Sequence, residues 1–230
     1  MKPAQKKALA LFAVLASLTI VLFLADSSKA EPSIVHLSVP AVDSYGRGAL
    51  AGLTIKAQPG NGSVFIDAKG PLLDENALAS LNRAVGAALA HYAGEPMDLY
   101  YFIDAPVAAV EGGSAGAAFS VGALLALNGL QAREGVIITG TVESNGSIGS
   151  VGSILPKAIA AKAAGYDLLL VPAGESVVES SALDCVEKKF EGAPYRECVT
   201  VTKLVSIANE TGIIVMEVST IDEAFELMWQ

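Results

Sequence analysis

Residues 111–119 read EGGSAGAAF, and an apolar stretch, SVGALLALNG, follows them to residue 129. Three glycines and several small residues crowd one hydroxyl, Ser114. Either Ser114 is a nucleophile presented on a sharp turn before a helix, or the helix start is kept small so that it can pack closely. Gly112-Gly113-Ser114-Ala115-Gly116 fits the G-x-S-x-G elbow of α/β-hydrolases, but that order needs an acid and then a histidine after the serine. The chain has two histidines, His36 and His91, and both precede Ser114. Chain order therefore excludes that chemistry. A His–Asp–Ser order stays formally open. Yet His36 falls in a strand and His91 at a helix end beside Tyr92, and each reads more simply as an ordinary half-buried or surface histidine. No G-x-x-x-x-G-K-[ST] phosphate loop occurs.

A serine can also be activated by a lysine, provided that the amine is held neutral by burial, by a positive neighbour or by the positive end of a helix. Most lysines beyond residue 30 sit in polar surroundings: Lys188 and Lys189 are adjacent, and Lys69 precedes Gly-Pro. Lys157 differs. It follows the small, apolar GSVGSILP and lies in the first turn of a helix, PKAIAAKAAG, where backbone N–H groups disfavour a cation. Ser114, also at a helix start, has backbone amides at hand for an oxyanion. Two helix starts, one with Ser and one with Lys, make a workable dyad. Two well-capped helices packed through small residues would read the same way.

Working outward, strands alternate with helices. IVHLSV, ALAGLTIKAQ and SVFIDA are strand-like, with Pro59 to Gly62 as a turn between the last two. Residues 74–93 form an amphipathic helix capped by Asp74, with Leu78, Leu81, Val85 and Leu89 on its buried face and Gly94 as its stop. The strand MDLYYFIDA comes next, then the helix from Ser114 to Asn128, the strand GVIITGT and a helix from Pro156. DLLLVP and IIVMEV read as buried strands, and Thr220 with Glu223 makes a capping box for the last helix. No internal repeat and no second hydrophobic core is legible. The class is α+β, one mixed α/β domain over residues 31–230.

Residues 1–30 stand apart from that domain. MKPAQKK is basic, and Ala8 to Ala25 is an uncharged apolar run of 18 residues. It reads as a membrane anchor, with the secretory signal as the alternative, since Ser28-Lys29-Ala30 offers a cleavage site. Either way the lysines stay inside and the domain is exported, membrane-anchored or secreted. The whole chain carries −9, and the first 30 residues hold four basic side chains and one acidic, so the domain is more acidic still. Nucleic acid is an unsuitable partner for such a surface. Cys185 and Cys198 flank the polar stretch VEKKFEGAPYRE, where a disulfide would close a loop. A metal site is the weaker reading, because two thiols without nearby histidine are too few ligands. Two unrelated free thiols are the third possibility.

Residues from Val39 to about Pro172 resemble the proteolytic domain of the Lon protease family. VPAVDSYGRGALAGLTIKAQPGNGSVFI is similar to its opening hairpin region and EGGSAGAAFSVGALLALNG to its nucleophile motif, (D/E)-G-x-S-A-G before an apolar helix. Thr139-Gly140 and GSVGSILPKAIAAKAAGYDLLLVP resemble its lysine segment. Lys157 follows Ser114 by 43 residues and Thr139 follows it by 25, matching the family's lysine and threonine spacings. The resemblance implies Ser114 as nucleophile, Lys157 as general base, Thr139 as the hydroxyl that orients the amine and Glu111 as an acid that orients or gates the pair. It implies no cofactor, a peptide or unfolded-protein substrate, and a homo-oligomeric ring. Gly113 stands where many relatives have proline, and Ser150 and Ser153 break the usual P-x-G-G before the lysine. The family's ATPase module has no counterpart in residues 1–38. Residues 173–202, with both cysteines, read as an insertion. The organisation resembles the membrane-associated, ATP-independent Lon-like proteins of archaea. The expected activity is an ATP-independent serine endopeptidase; a catalytically silent peptide-binding module or an anchored assembly scaffold is the alternative.

Overall fold

The first β-hairpin is set by its turn. In the computed structural model, which describes residues 31–69, 72–105, 109–110 and 112–230, β1 (Ser33–Val42) and β2 (Gly48–Pro59) pair antiparallel from Ser33↔Ala57 to Val42↔Gly48. Between them, the Asp43 carboxylate accepts from the backbone N–H groups of Tyr45 and Arg47 and from Arg47 Nε, while Gly46 takes φ +77°. These charge-assisted bonds hold the Asp43 carboxyl below the usual carboxylate range, with the Arg47 backbone bond the largest cause. The sheet continues with β5 (Met97–Asp104), antiparallel to β2, and β3 (Val64–Lys69), parallel to β5, in the order β1-β2-β5-β3. A short parallel pair, β4 (Leu72–Leu73) and β6 (Ala109–Val110), lies beside it in sequence.

Helix α1 (Glu75–His91) is capped by Asp74, whose carboxylate accepts from Ala77 N at 2.6 Å. It ends at His91, earlier than the expected 93. Its buried stripe is Ala77, Ser80, Leu81, Ala84, Val85 and Ala88; Leu78, expected inside, is 40% exposed. The small residues win that face because α1 packs closely on α2 (Gly116–Leu127), every residue of which is buried. A helix that is apolar all round belongs inside the domain. There a Cβ on Gly122 would come within 2.6 Å of Ile55 Cδ1, so glycine lets α2 lie against the sheet.

The second sheet is parallel, in the order β13 (Ile214–Val218), β10 (Leu168–Pro172), β7 (Val136–Ile138). Its alternation divides two apolar clusters: Leu168 and Leu170 join the one around α1, α2 and the first sheet, whereas Leu169 and Val171 join one with Ile154, Ala158, Ile207 and Ile213. The expectation of a single core is thereby corrected. The continuous apolar run LLLVP serves both faces of one strand, and such a run has no period to divide. A short antiparallel pair, β8 (Thr141–Val142) and β9 (Ile148–Gly149), comes before helix α3 (Ile154–Ala163), which starts two residues ahead of Pro156, and α4 (Ile207–Thr211) precedes β13. β13 is an edge strand with Ile214 62% and Met216 40% exposed, so IIVMEV is not the buried strand its composition suggests. Helix α5 (Ile221–Met228) opens with Thr220 accepting from Glu223 N.

The loop expected between the cysteines is instead a long two-stranded ribbon. β11 (Val177–Phe190) and β12 (Ala193–Ser206) pair throughout. Glu191 and Gly192 form the two-residue turn, both with positive φ (49° and 86°), which matches the twist of the strands. Cys185 faces Cys198 in the register, and the two are disulfide-bonded. The alternation was obscured because both faces of the ribbon are largely exposed and mix apolar with charged residues. Among the described residues no helix is long and apolar enough to cross a membrane. The run 8–25 and Glu111 lie outside those residues.

Candidate active site

Ser114 lies in a turn just ahead of α2 rather than in its first turn, and is half-buried. Gly112 adopts φ +78°, which favours glycine, and Gly116 N donates to Gly113 O to close the turn. Three groups fasten it. Ser80 Oγ, from α1, donates to Gly113 O at 3.0 Å; Gly140 N donates to Ser114 O at 3.0 Å; Ala117 N donates back to Gly140 O at 2.9 Å. A Cβ on Gly140 would meet Ile148 Cγ2 at 2.6 Å, and one on Gly116 would meet Val142 N at 3.0 Å. The crowd of small residues is thus a packing device, and what it packs is the turn that carries Ser114.

Lys157 comes to the same place from α3. Its side chain is buried, with the residue 2% exposed. Nζ donates to Thr139 Oγ1 at 3.3 Å, and Thr139 Oγ1 donates to Ser114 O at 3.3 Å. Thr139 is itself fully buried at the end of β7, where Thr139 N donates to Leu170 O. A single hydroxyl therefore links the amine to the backbone of the serine. Burial lowers the Lys157 pKa from 10.5 to about 8, against the opposing charge of Glu175. The positive end of α3 acts in the same direction as burial.

The start of α3 is held by an unusual residue. Ser153 takes φ 58°, ψ 40° and makes no side-chain cap bond. Left-handed backbone costs a residue with a side chain about 1–2 kcal/mol. This is one of the positions where the sequence departs from the Lon-like P-x-G-G pattern, and the serine keeps a backbone that suits glycine.

The structure thus brings Ser114, Thr139 and Lys157 together. His36 and His91 are elsewhere: His36 Nδ1 bonds Thr54 Oγ1 on the outer hairpin, and His91 Nδ1 bonds Ala87 O at the far end of α1, 3.6 Å from Asp222. Eleven residues of helix separate His91 from Ser80, about 16 Å at 1.5 Å per residue. Sequence reasoning missed three residues: Ser80, which ties down the nucleophile turn; Gly48, over which the α3 start lies; and Glu175, which accepts from Val151 N at 3.3 Å. Ser80 had one available signal, a polar residue beside Leu81 on the apolar stripe. Among the described residues no cluster of histidine, cysteine or acid side chains is arranged to hold a metal ion.

Residues 48–204 match the family model of the Lon protease (S16) C-terminal proteolytic domain. No curated protein matches the chain.

Proposed function

This chain belongs to the Lon protease (S16) family, and from that premise we propose that its serine-peptidase domain cleaves peptides or unfolded proteins through Ser114 and Lys157, without ATP. The observation that carries the dyad is the buried amine of Lys157, held by Thr139, whose hydroxyl in turn bonds the Ser114 carbonyl.

In this reading Ser114 Oγ attacks the scissile carbonyl carbon while its proton passes to the neutral Lys157 Nζ. The carbonyl oxygen becomes an oxyanion beside the turn that carries Ser114, where a backbone N–H can stabilise it. Collapse breaks the C–N bond, and the Lys157 ammonium returns its proton to the leaving amine. Water then attacks the acyl-enzyme, Lys157 again taking a proton, and Ser114 is restored. Thr139 accepts a hydrogen bond from Nζ throughout and keeps it from turning toward solvent. A buried amine suits this role because more of it is neutral at a given pH.

Independence from ATP is part of the same proposal and is tested by leaving nucleotide out of the assay. Tethering through residues 8–25, with the domain outside the cytoplasm, is supported by the apolar run with its lysine flank and by the Cys185–Cys198 disulfide, a bond of oxidising compartments. A homo-oligomeric ring is part of the same proposal, tested by sizing the detergent-solubilised chain.

The decisive assay is nucleotide-free hydrolysis of a labelled unfolded protein by the full chain in detergent micelles, with and without Ser114→Ala. A fluorophosphonate probe should label the wild type and not the variant. Hydrolysis that survives Ser114→Ala would overturn the assignment. Absence of both hydrolysis and labelling would favour the catalytically silent peptide-binding alternative.

A further inference from the structure

Two carboxylates meet at the turn that leaves β10, and the mechanism above uses neither: Glu175 lies in the turn and Glu217 reaches it from β13. Glu217, on β13, accepts from Gly174 N at 2.9 Å and from Ser176 N at 3.1 Å, gripping the backbone on either side of Glu175. The Ser176 hydroxyl and these two amides hold the Glu217 carboxyl below its usual range, so the grip is that of an anion. Glu175 N donates to Pro172 O, and Ser176 O accepts from Ile207 N. The turn is strapped on every side.

From this braced position the Glu175 carboxylate reaches the loop that delivers the lysine, accepting from Val151 N at 3.3 Å. The two segments line one open cleft of about 480 Å³, with Ser153 and Pro156 from the α3 start and Val177 and Glu179 from the base of the ribbon. The elements packed on α3 hold few other ionisable groups among the described residues. They are His36 on β1, Lys56 on β2, which sits over the Tyr100 ring, and Glu210 on α4. Lys162, on α3 itself, is paired with Asp167 at the far end of the helix. Among the described residues it is the charge of Glu175 that acts on Lys157, and it favours the ammonium.

We infer that Glu175, braced by Glu217, is a positioning residue for the Ser114–Lys157 pair, anchoring the loop that leads to Lys157 and supplying the counter-charge for its ammonium form. The inference rests on the Ser–Lys reading of the site. The step it serves is the transfer of the Ser114 proton, in which a buried amine must become a cation. Burial opposes that change, and a nearby fixed anion offsets part of the opposition. A lysine left with burial alone would be neutral more often but a weaker proton acceptor.

Glu175→Gln tests the inference, because the amide oxygen can still accept from Val151 N while the charge is gone. The full chain in detergent micelles, carrying ¹³Cε-labelled lysine, is titrated by NMR, with the Lys157 resonance identified by its loss in Lys157→Met. The Lys157 midpoint is expected at lower pH in Glu175→Gln than in the wild type. In peptide hydrolysis the plateau kcat is expected to fall several-fold with KM unchanged. Glu175→Ala, which also loses the Val151 acceptor, should fall further. A Lys157 midpoint identical in wild type and Glu175→Gln overturns the inference. A shifted midpoint in a wild type that hydrolyses nothing overturns instead the peptidase reading, and leaves the coupling of Glu175 to Lys157 standing.

Discussion

Replacing Lys157 with methionine should make the protein more stable and inactive. The position is 2% exposed, and methionine keeps an unbranched stem there while removing the amine. The amine titrates near 10.5 when unfolded and at about 8 in the fold. Between those values the unfolded chain binds more protons than the folded one, so wild-type stability rises with pH across that window and is level below it. Each pH unit of the gap is worth about 1.4 kcal/mol, which puts the cost of the buried ammonium at about 3 kcal/mol below pH 8. Methionine escapes that cost but loses the bond to Thr139, worth about 1 kcal/mol. The net gain is about 2 kcal/mol at pH 7, a rise of about 4–8 °C in Tm for a domain of this size. It should fade as the pH approaches 10.5. Thermal unfolding of both proteins at pH 7 and pH 10, beside hydrolysis of a labelled unfolded substrate, measures both halves. A variant that is less stable at pH 7, or a gain that ignores pH, would refute the electrostatic argument. Near wild-type hydrolysis would remove Lys157 from the chemistry.

The same amine sets the pH dependence of reaction at Ser114. The rate of fluorophosphonate labelling should rise about tenfold per pH unit below pH 8 and level off above it, since only the neutral amine accepts a proton; a flat profile from pH 5 to 9 would contradict this. Gly48→Ala should damage the site from a distance. Its Cβ would stand 1.9 Å from Pro156 O and 2.7 Å from Pro156 C, which are backbone atoms that yield only if the first turn of α3 moves. A loss of about 1–3 kcal/mol is expected, together with at least a tenfold slower labelling rate; wild-type labelling would show that Lys157 does not depend on this contact.

What the sequence determined by itself was the local and the periodic. Asp74 caps α1 because a carboxylate accepts backbone N–H groups wherever a helix begins, and that needs no knowledge of the rest of the chain. The apolar run behind Ser114 had to be an interior helix, and the two intervals that tie Ser114 to Thr139 and Lys157 marked the family. Contacts between distant segments were decided only in three dimensions. Leu78 lost the buried face of α1 to alanines because helix α2 comes so close. LLLVP carries no period, so only the layers on either side of β10 show that it joins two apolar clusters. The ribbon of Val177–Phe190 and Ala193–Ser206 has mixed side chains on both exposed faces, and cross-strand pairing is invisible in composition. Ser80, Gly48 and Glu175 belong to this second class. Each acts through one oxygen or one missing methyl, on a partner 33, 108 and 24 residues away respectively. Hydrogen bonds and steric contacts depend on distances of a few ångströms, which chain folding sets and local sequence does not encode.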